Sequence, residues 1–270
     1  MVLNSVLQAF NLKGHKLELY ISPDDLFVPN AVTRLFSKIV SINPGDIVFD
    51  IGTGVGVLAV WAALHPCQEV YAVDPVAQHC ELVAENAELH SVAHKVRTYQ
   101  GSLFDPLPDS LKADVIIGDV SGIADAPGKA LGWYSPDVPT GGRDGAEVII
   151  ELLDQATERL TPDGRLFFPV AIGLSDDEQI MQVAAKCFGR LEQRVDVWFP
   201  LSDEEYEIVA GCLPPALLAK IQRRGSRMAW NGHIYEATCP KRLAVHMDES
   251  AKPPRAKTNR HPKQKPSPSL

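Results

Sequence analysis

No two of the five cysteines, Cys67, Cys80, Cys187, Cys212 and Cys239, stand in a CxxC spacing, and their number is odd. A zinc site or a disulfide framework is therefore not expected, and the thiols read as isolated groups in or near a core. His15, His233 and His246 show no triad or ligand spacing, so no metal is expected. No apolar run reaches the ~18–20 residues that a bilayer-spanning helix needs. The start, Met1 to Phe10, lacks the basic opening and long apolar centre of a secretory leader, which points to a cytoplasmic location and no membrane partner. No repeat is visible. Acids are missing from residues 251–270, which hold six bases, whereas the first 250 residues carry 20 bases against 34 acids. So acidic a body is a poor general surface for nucleic acid, and any such contact is left to the tail. Rich in Pro, Lys and Ser, residues 246–270 read as a disordered basic tail.

What is present is an alternation of strands and helices. Asp46–Ile51, Glu69–Asp74, Lys95–Gln100, Ala113–Val120 and Arg165–Ile172 read as strands. Between them, Val57–Leu64, Val76–His90, Asp144–Leu160 and Asp176–Phe188 have helical spacing. Helices between near-continuous apolar strands imply a mostly parallel sheet covered on both faces, a Rossmann-like α/β fold. Val195–Phe199 and His233–Cys239 are two further strand candidates, with a helical insertion near 203–229. Residues 1–45, including a helix-like run over Ala31–Val40, are expected to pack on the cleft at the mouth of the sheet; a simple packing helix accounts for that run equally well. The principal domain is thus 46–245.

Chemistry concentrates in one turn. Asp50, Gly52, Gly54 and Gly56 alternate behind a strand, and Asp74 ends the next strand. A GxGxxG turn would bind a pyrophosphate at a helix N-terminus. Here position 57 is Val, and Asp50 would repel a pyrophosphate but suits a cationic amine. S-adenosylmethionine carries an amino group and no phosphate, so the pattern favours that cofactor over a nicotinamide or flavin. Gly52, Thr53, Gly54 and Gly56 would bring backbone against it. Asp50 would serve its amino-acid end, directly or through water, and Asp74 with Pro75 its ribose. Ser102 and Leu103, after the third strand, would border the adenine.

The stretch from about Phe27 to Ile172 resembles the class I S-adenosylmethionine-dependent methyltransferases. Within them it is similar to the branch of release-factor glutamine methyltransferases and small-domain RNA methyltransferases. The resemblance rests on Phe27-Val28-Pro29, on Asp50–Gly56 with Asp74, on Gly101-Ser102-Leu103-Phe104, and on Gly141-Gly142-Arg143-Asp144-Gly145. It implies a seven-stranded sheet with an antiparallel strand near one edge.

That branch ends its fourth strand in Asn-Pro-Pro-Tyr, which grips a planar amide or amine. This chain has Asp119-Val120-Ser121-Gly122 instead. Methyl transfer is an in-line displacement that mainly needs orientation, with a base only where the nucleophile must lose a proton. Asp119 is the candidate catalytic residue; a strand-end carboxylate capping backbone N–H groups is the plain alternative. Trp133 and Tyr134 would stack on a flat or cationic substrate or pack their loop, and Arg143 would meet a substrate carboxylate. The expected activity is N-methylation of a small molecule. The alternatives are a methyltransferase acting on a protein or RNA, and a non-catalytic cofactor-binding protein.

Overall fold

A computed structural model describes residues 5–22, 31–134 and 140–241. Phe27-Val28-Pro29 and the basic tail lie outside the described residues. The chain opens with a hairpin, β1 (Val6–Leu12) and β2 (His15–Ile21), followed by α1 (Ala31–Ile39). Next come β3 (Ile47–Ile51), α2 (Val57–Ala63), β4 (Glu69–Asp74), α3 (Ala77–Leu89), β5 (Val96–Gln100) and β6 (Ala113–Gly118). They lead to α4 (Asp125–Ala130), α5 (Glu147–Arg159), β7 (Leu160–Ile172), α6 (Asp177–Cys187) and β8 (Phe188–Pro200). The last elements are α7 (Asp203–Cys212), α8 (Pro215–Leu218), β9 (Gln222–Arg224) and β10 (Arg227–Pro240).

Seven strands run side by side in the order β5-β4-β3-β6-β7-β10-β8, and short β9 pairs with β10 as an eighth. Pairings from β5 to β7 are parallel; β10 is antiparallel to both β7 and β8. The sheet is thus mostly parallel, with its reversed strand second from one edge. β3 connects onward to β4 on one side and has β6 on the other. Strand order therefore reverses between them, and a doubly wound sheet opens a crevice at the carboxyl ends of its strands there.

Each face is closed by amphipathic helices. On one, Phe36 of α1, Trp61 of α2 and Leu82 and Val83 of α3 pack with Val48, Val115 and Phe167 of the sheet. On the other, α5 buries Ile149, Leu152, Leu153 and Ala156, the i, i+3, i+4, i+7 stripe of a helix lying on a core, against Ile116, Leu166 and Phe168. A third cluster joins Val209 of α7 and Leu217 of α8 to Trp230 and Ala171, capping the β7–β10 end. α7 begins with a capping box, in which Ser202 and Glu205 satisfy each other's backbone N–H groups.

The hairpin packs on α2 and α3 on the outer side of the first face. Leu17, Leu19 and Ile21 alternate inward, and Asn86 of α3, fully buried, pairs with both backbone groups of Tyr20 at 2.7 and 3.0 Å. Among the described residues of the first 45, α1 is the part that reaches the crevice. No helix among the described residues is long and apolar enough to cross a membrane.

Candidate active site

The glycine turn sits at the carboxyl end of β3. Gly52 has φ +76°, and a Cβ there would stand 3.1 Å from the backbone oxygen of Asp119 and from a methyl of Val120. Only glycine accepts that conformation and that approach without strain. Gly56, at φ +87°, sits 3.0–3.2 Å from Val83 by the same measure, which seats the start of α2 against α3. Asp50 lies beneath the turn, 1% exposed. Its Oδ2 accepts the Thr53 hydroxyl at 2.7 Å, whereas Oδ1 has no hydrogen-bond partner among the described residues. Burial, with the charges of Asp119 and Asp74 adding to it, pushes the Asp50 carboxyl up to about 7.

Asp74 closes the other side. Its Oδ2 accepts the Gly54 N–H at 2.9 Å, and its Oδ1 accepts the Val76 N–H at 3.0 Å and pairs with Nδ1 of His79 at 2.8 Å. The carboxylate thus fixes the middle glycine of the turn as well as facing the cleft. That cleft, about 90 Å³, is lined by Gly52, Gly54, Asp74, Pro75, Ser102 and Leu103. Leu103 holds a left-handed φ of +45° at this wall. His79 and Glu151 also line it; neither belongs to a motif that points to this cleft. A smaller recess of about 20 Å³ lies on the α1 side, between Asp50, Thr53 and Thr33.

The third cavity is the largest, about 410 Å³. It runs from Asp119 along the ends of β7, β10 and β8 beneath α7, and Trp133, Tyr134, Phe199, Trp230 and Glu205 are among its walls. Asp119 lines all three cavities. Thr33 of α1 donates its hydroxyl to Asp119 Oδ2 at 2.7 Å. Burial pushes the Asp119 carboxyl up to about 6, held from rising further by that hydrogen bond. Burial also pushes the Tyr134 phenol above its ordinary value. The Tyr134 ring packs where Gly128 of α4 has no side chain; a Cβ there would be 2.8 Å from it.

Arg143 is not among the walls of the three cavities. Its side chain is exposed, and its N–H donates to Glu147 Oε1 at 3.0 Å. The Gly-Gly-Arg-Asp-Gly stretch is a tight joint: a Cβ at Gly145 would lie 2.6 Å from the backbone nitrogen of Ala124. Phe199, Glu205 and Trp230 escaped the sequence reading because each comes from the chain's last third, with no local motif around it.

Whether this cleft suits a cationic cofactor is answered by Asp50 and Asp119. Two buried carboxylates raised by desolvation, one with an unpartnered oxygen, form an environment that a positive ligand relieves. A pyrophosphate would aggravate it. Residues 34–124 match the family described as ribosomal protein L11 methyltransferase (PrmA). The solved ribosomal protein L11 methylase of Lactobacillus delbrueckii subsp. bulgaricus superposes with a TM-score of 0.51 at 18% identity, covering 81% of this chain and 84% of that one. This is a class I S-adenosylmethionine-dependent methyltransferase fold. S-adenosylmethionine is its cofactor.

Among curated relatives of this chain, the release factor glutamine methyltransferase of Thermosynechococcus vestitus is 27% identical over 66% of this chain and 65% of its own length. The ribosomal protein uL3 glutamine methyltransferase of Bradyrhizobium diazoefficiens is 37% identical over 47% of this chain and 41% of its own. The chain therefore spans less than two thirds of the length of these relatives. Their names overturn the expectation of a small-molecule substrate: they act on proteins. The acidic body misled because it argues against a polyanion, not against a basic protein segment, which such a surface attracts.

Proposed function

We propose that this chain transfers the methyl group of S-adenosylmethionine to a nitrogen on a protein side chain. The observation that carries this reading is the position of Asp119, the one carboxylate shared by the turn-side recesses and the large cavity. When bound, the cofactor supplies an electrophilic methyl on a sulfonium. Asp50, with its free oxygen, holds the cationic amino-acid end, and Asp74, Ser102 and Leu103 hold the adenosine. Asp119 accepts a hydrogen bond from the acceptor N–H, which aims the nitrogen lone pair at the methyl carbon. Asp119, or water beside it, would take the proton that the acceptor nitrogen loses. Thr33 keeps Asp119 oriented and largely ionised near neutrality.

A protein acceptor is favoured over RNA by the walls of the large cavity. Among the described residues they include Asp119 and Glu205 and no Lys or Arg, a poor match for phosphates, whose binding relies on basic contacts. Relatives that methylate release factor and uL3 support the same choice. The test is incubation of the full chain and tritiated cofactor with ribosomal fractions from cells lacking the protein. Label that is sensitive to protease and resistant to ribonuclease is expected; label released by ribonuclease would overturn the reading in favour of RNA.

A further inference from the structure

We infer that the large cavity seats two side chains of the substrate protein: the acceptor beside Asp119, and a second aromatic or large aliphatic residue on a wall built by Phe199 and Trp230. The inference rests on the protein-methylating reading above and adds a sequence preference to it.

Size is the first argument. A cavity of about 150 Å³ holds a benzene ring, and this one measures about 410 Å³. One lysine, arginine or glutamine side chain leaves much of it empty. Layout is the second. Asp119 directly follows β6, and the sheet order runs β6-β7-β10-β8. At about 4.8 Å between strands, the aromatic wall on β10 and β8 lies roughly 10–14 Å from β6. The polar and apolar ends are therefore separate places. With about 3.4 Å per extended residue, the second side chain belongs roughly three to four positions from the acceptor.

The wall itself is constructed. Phe199 and Trp230 stack with centroids 4.4 Å apart and planes at 18°. They do so over Gly232, where a Cβ would stand 2.5 Å from the Phe199 ring. Any larger residue there would lift the ring off the strand and into the cavity. Leu201 and Ile234 extend the apolar surface. Flat rings with apolar neighbours and no Lys or Arg among the described walls suit an aromatic or branched side chain; a nucleobase would stack equally, but its phosphates would find no lysine or arginine there.

The test has two arms. In the first, the full chain and tritiated cofactor act on positional-scanning peptide libraries with Lys, Arg or Gln fixed at the centre. Phe, Tyr, Trp, Leu or Ile should be preferred about fivefold or more at one position, about three or four residues from the acceptor. Phe199→Ala should flatten that preference, raising KM for the preferred peptide about tenfold with kcat within about twofold. Gly232→Ala, which acts on the same wall from below, should do likewise, and unchanged affinity for S-adenosylhomocysteine shows that both variants fold. Labelled libraries with no such preference, or with one that survives both substitutions, overturn the second seat while leaving the protein-methylating reading intact. In the second arm, N-acetyl-tryptophanamide is titrated by NMR into the protein holding S-adenosylhomocysteine. Saturable binding that Phe199→Ala removes supports the seat even if every library stays unlabelled, in which case the protein-methylating reading alone fails. No binding, or displacement by adenosine monophosphate at lower concentration, overturns the seat.

Discussion

Thr33 and Asp119 are 86 residues apart and joined by one hydrogen bond, and that bond makes Asp119 testable by its titration. The ionised carboxylate is the form that accepts an N–H, so activity should rise with pH through the Asp119 pKa. The Thr33 hydroxyl lowers that pKa; Thr33→Val should therefore move the acid limb of the kcat profile to higher pH, while a profile that only loses height would make Thr33 merely structural. Asp119→Asn keeps the shape and removes the charge, and should cut kcat about 100-fold or more with S-adenosylhomocysteine affinity nearly unchanged by calorimetry. Asp74 differs, since Gly54, Val76 and His79 all converge on its carboxylate. Asp74→Ala should weaken cofactor-product binding by about 1–3 kcal/mol or more, because unmet N–H groups are left behind in the turn, and calorimetry reads this directly. Part of the lining of the turn-side recesses was legible in sequence because Asp50, the glycines and Asp74 fall within 25 positions. Thr33, His79 and the aromatic wall were not, because nothing local marks them.

Among the elements, those with both faces buried were read well from sequence, and those on the periphery were not. The hairpin is marked only by the alternation Leu17, Leu19, Ile21 and a turn at Gly14. β8 begins at Phe188, whereas its apolar signal begins near Val195, because an edge strand carries exposed polar residues along Gly189–Arg194. α4 contains Pro127 and Gly128 and reads as loop; the Tyr134 ring, seated on Gly128, is a tertiary support that local propensity does not register. The hairpin's attachment rests heavily on Asn86, which also donates to the Val55 carbonyl at 2.9 Å beside the glycine turn. Asn86→Ala leaves those backbone groups unsatisfied in a dry place and should lower stability by about 2–4 kcal/mol, measured as a lower urea midpoint. A midpoint within error of the parent would show that the hairpin docks by apolar contact alone.

For the molecule as a whole, Asp50 and Asp119 contribute to the pH response of the cofactor-free protein. Burial raises both, to about 7 and about 6 from 3.8. The folded state thus binds more protons than the unfolded chain between those values. Their contribution to stability is fully present below pH 3.8 and is lost as pH rises through about 6 and then about 7. Urea midpoints over that window should show it, and S-adenosylhomocysteine, whose ammonium is proposed to meet Asp50, should flatten the slope. A cofactor-free slope no different from that of Asp50→Asn would remove Asp50 from the account. Gly52 carries a consequence of another kind. A Cβ on it would stand 3.1 Å from the backbone oxygen of Asp119 and 3.5 Å from the α-carbon of Val120, so under the proposed function the spacing between donor seat and acceptor seat is set at the main chain. Side chains in the large cavity can then change identity without altering the flight path of the methyl group. Under that proposal the architecture separates the question of which partner is recognised from the question of how far a carbon must travel.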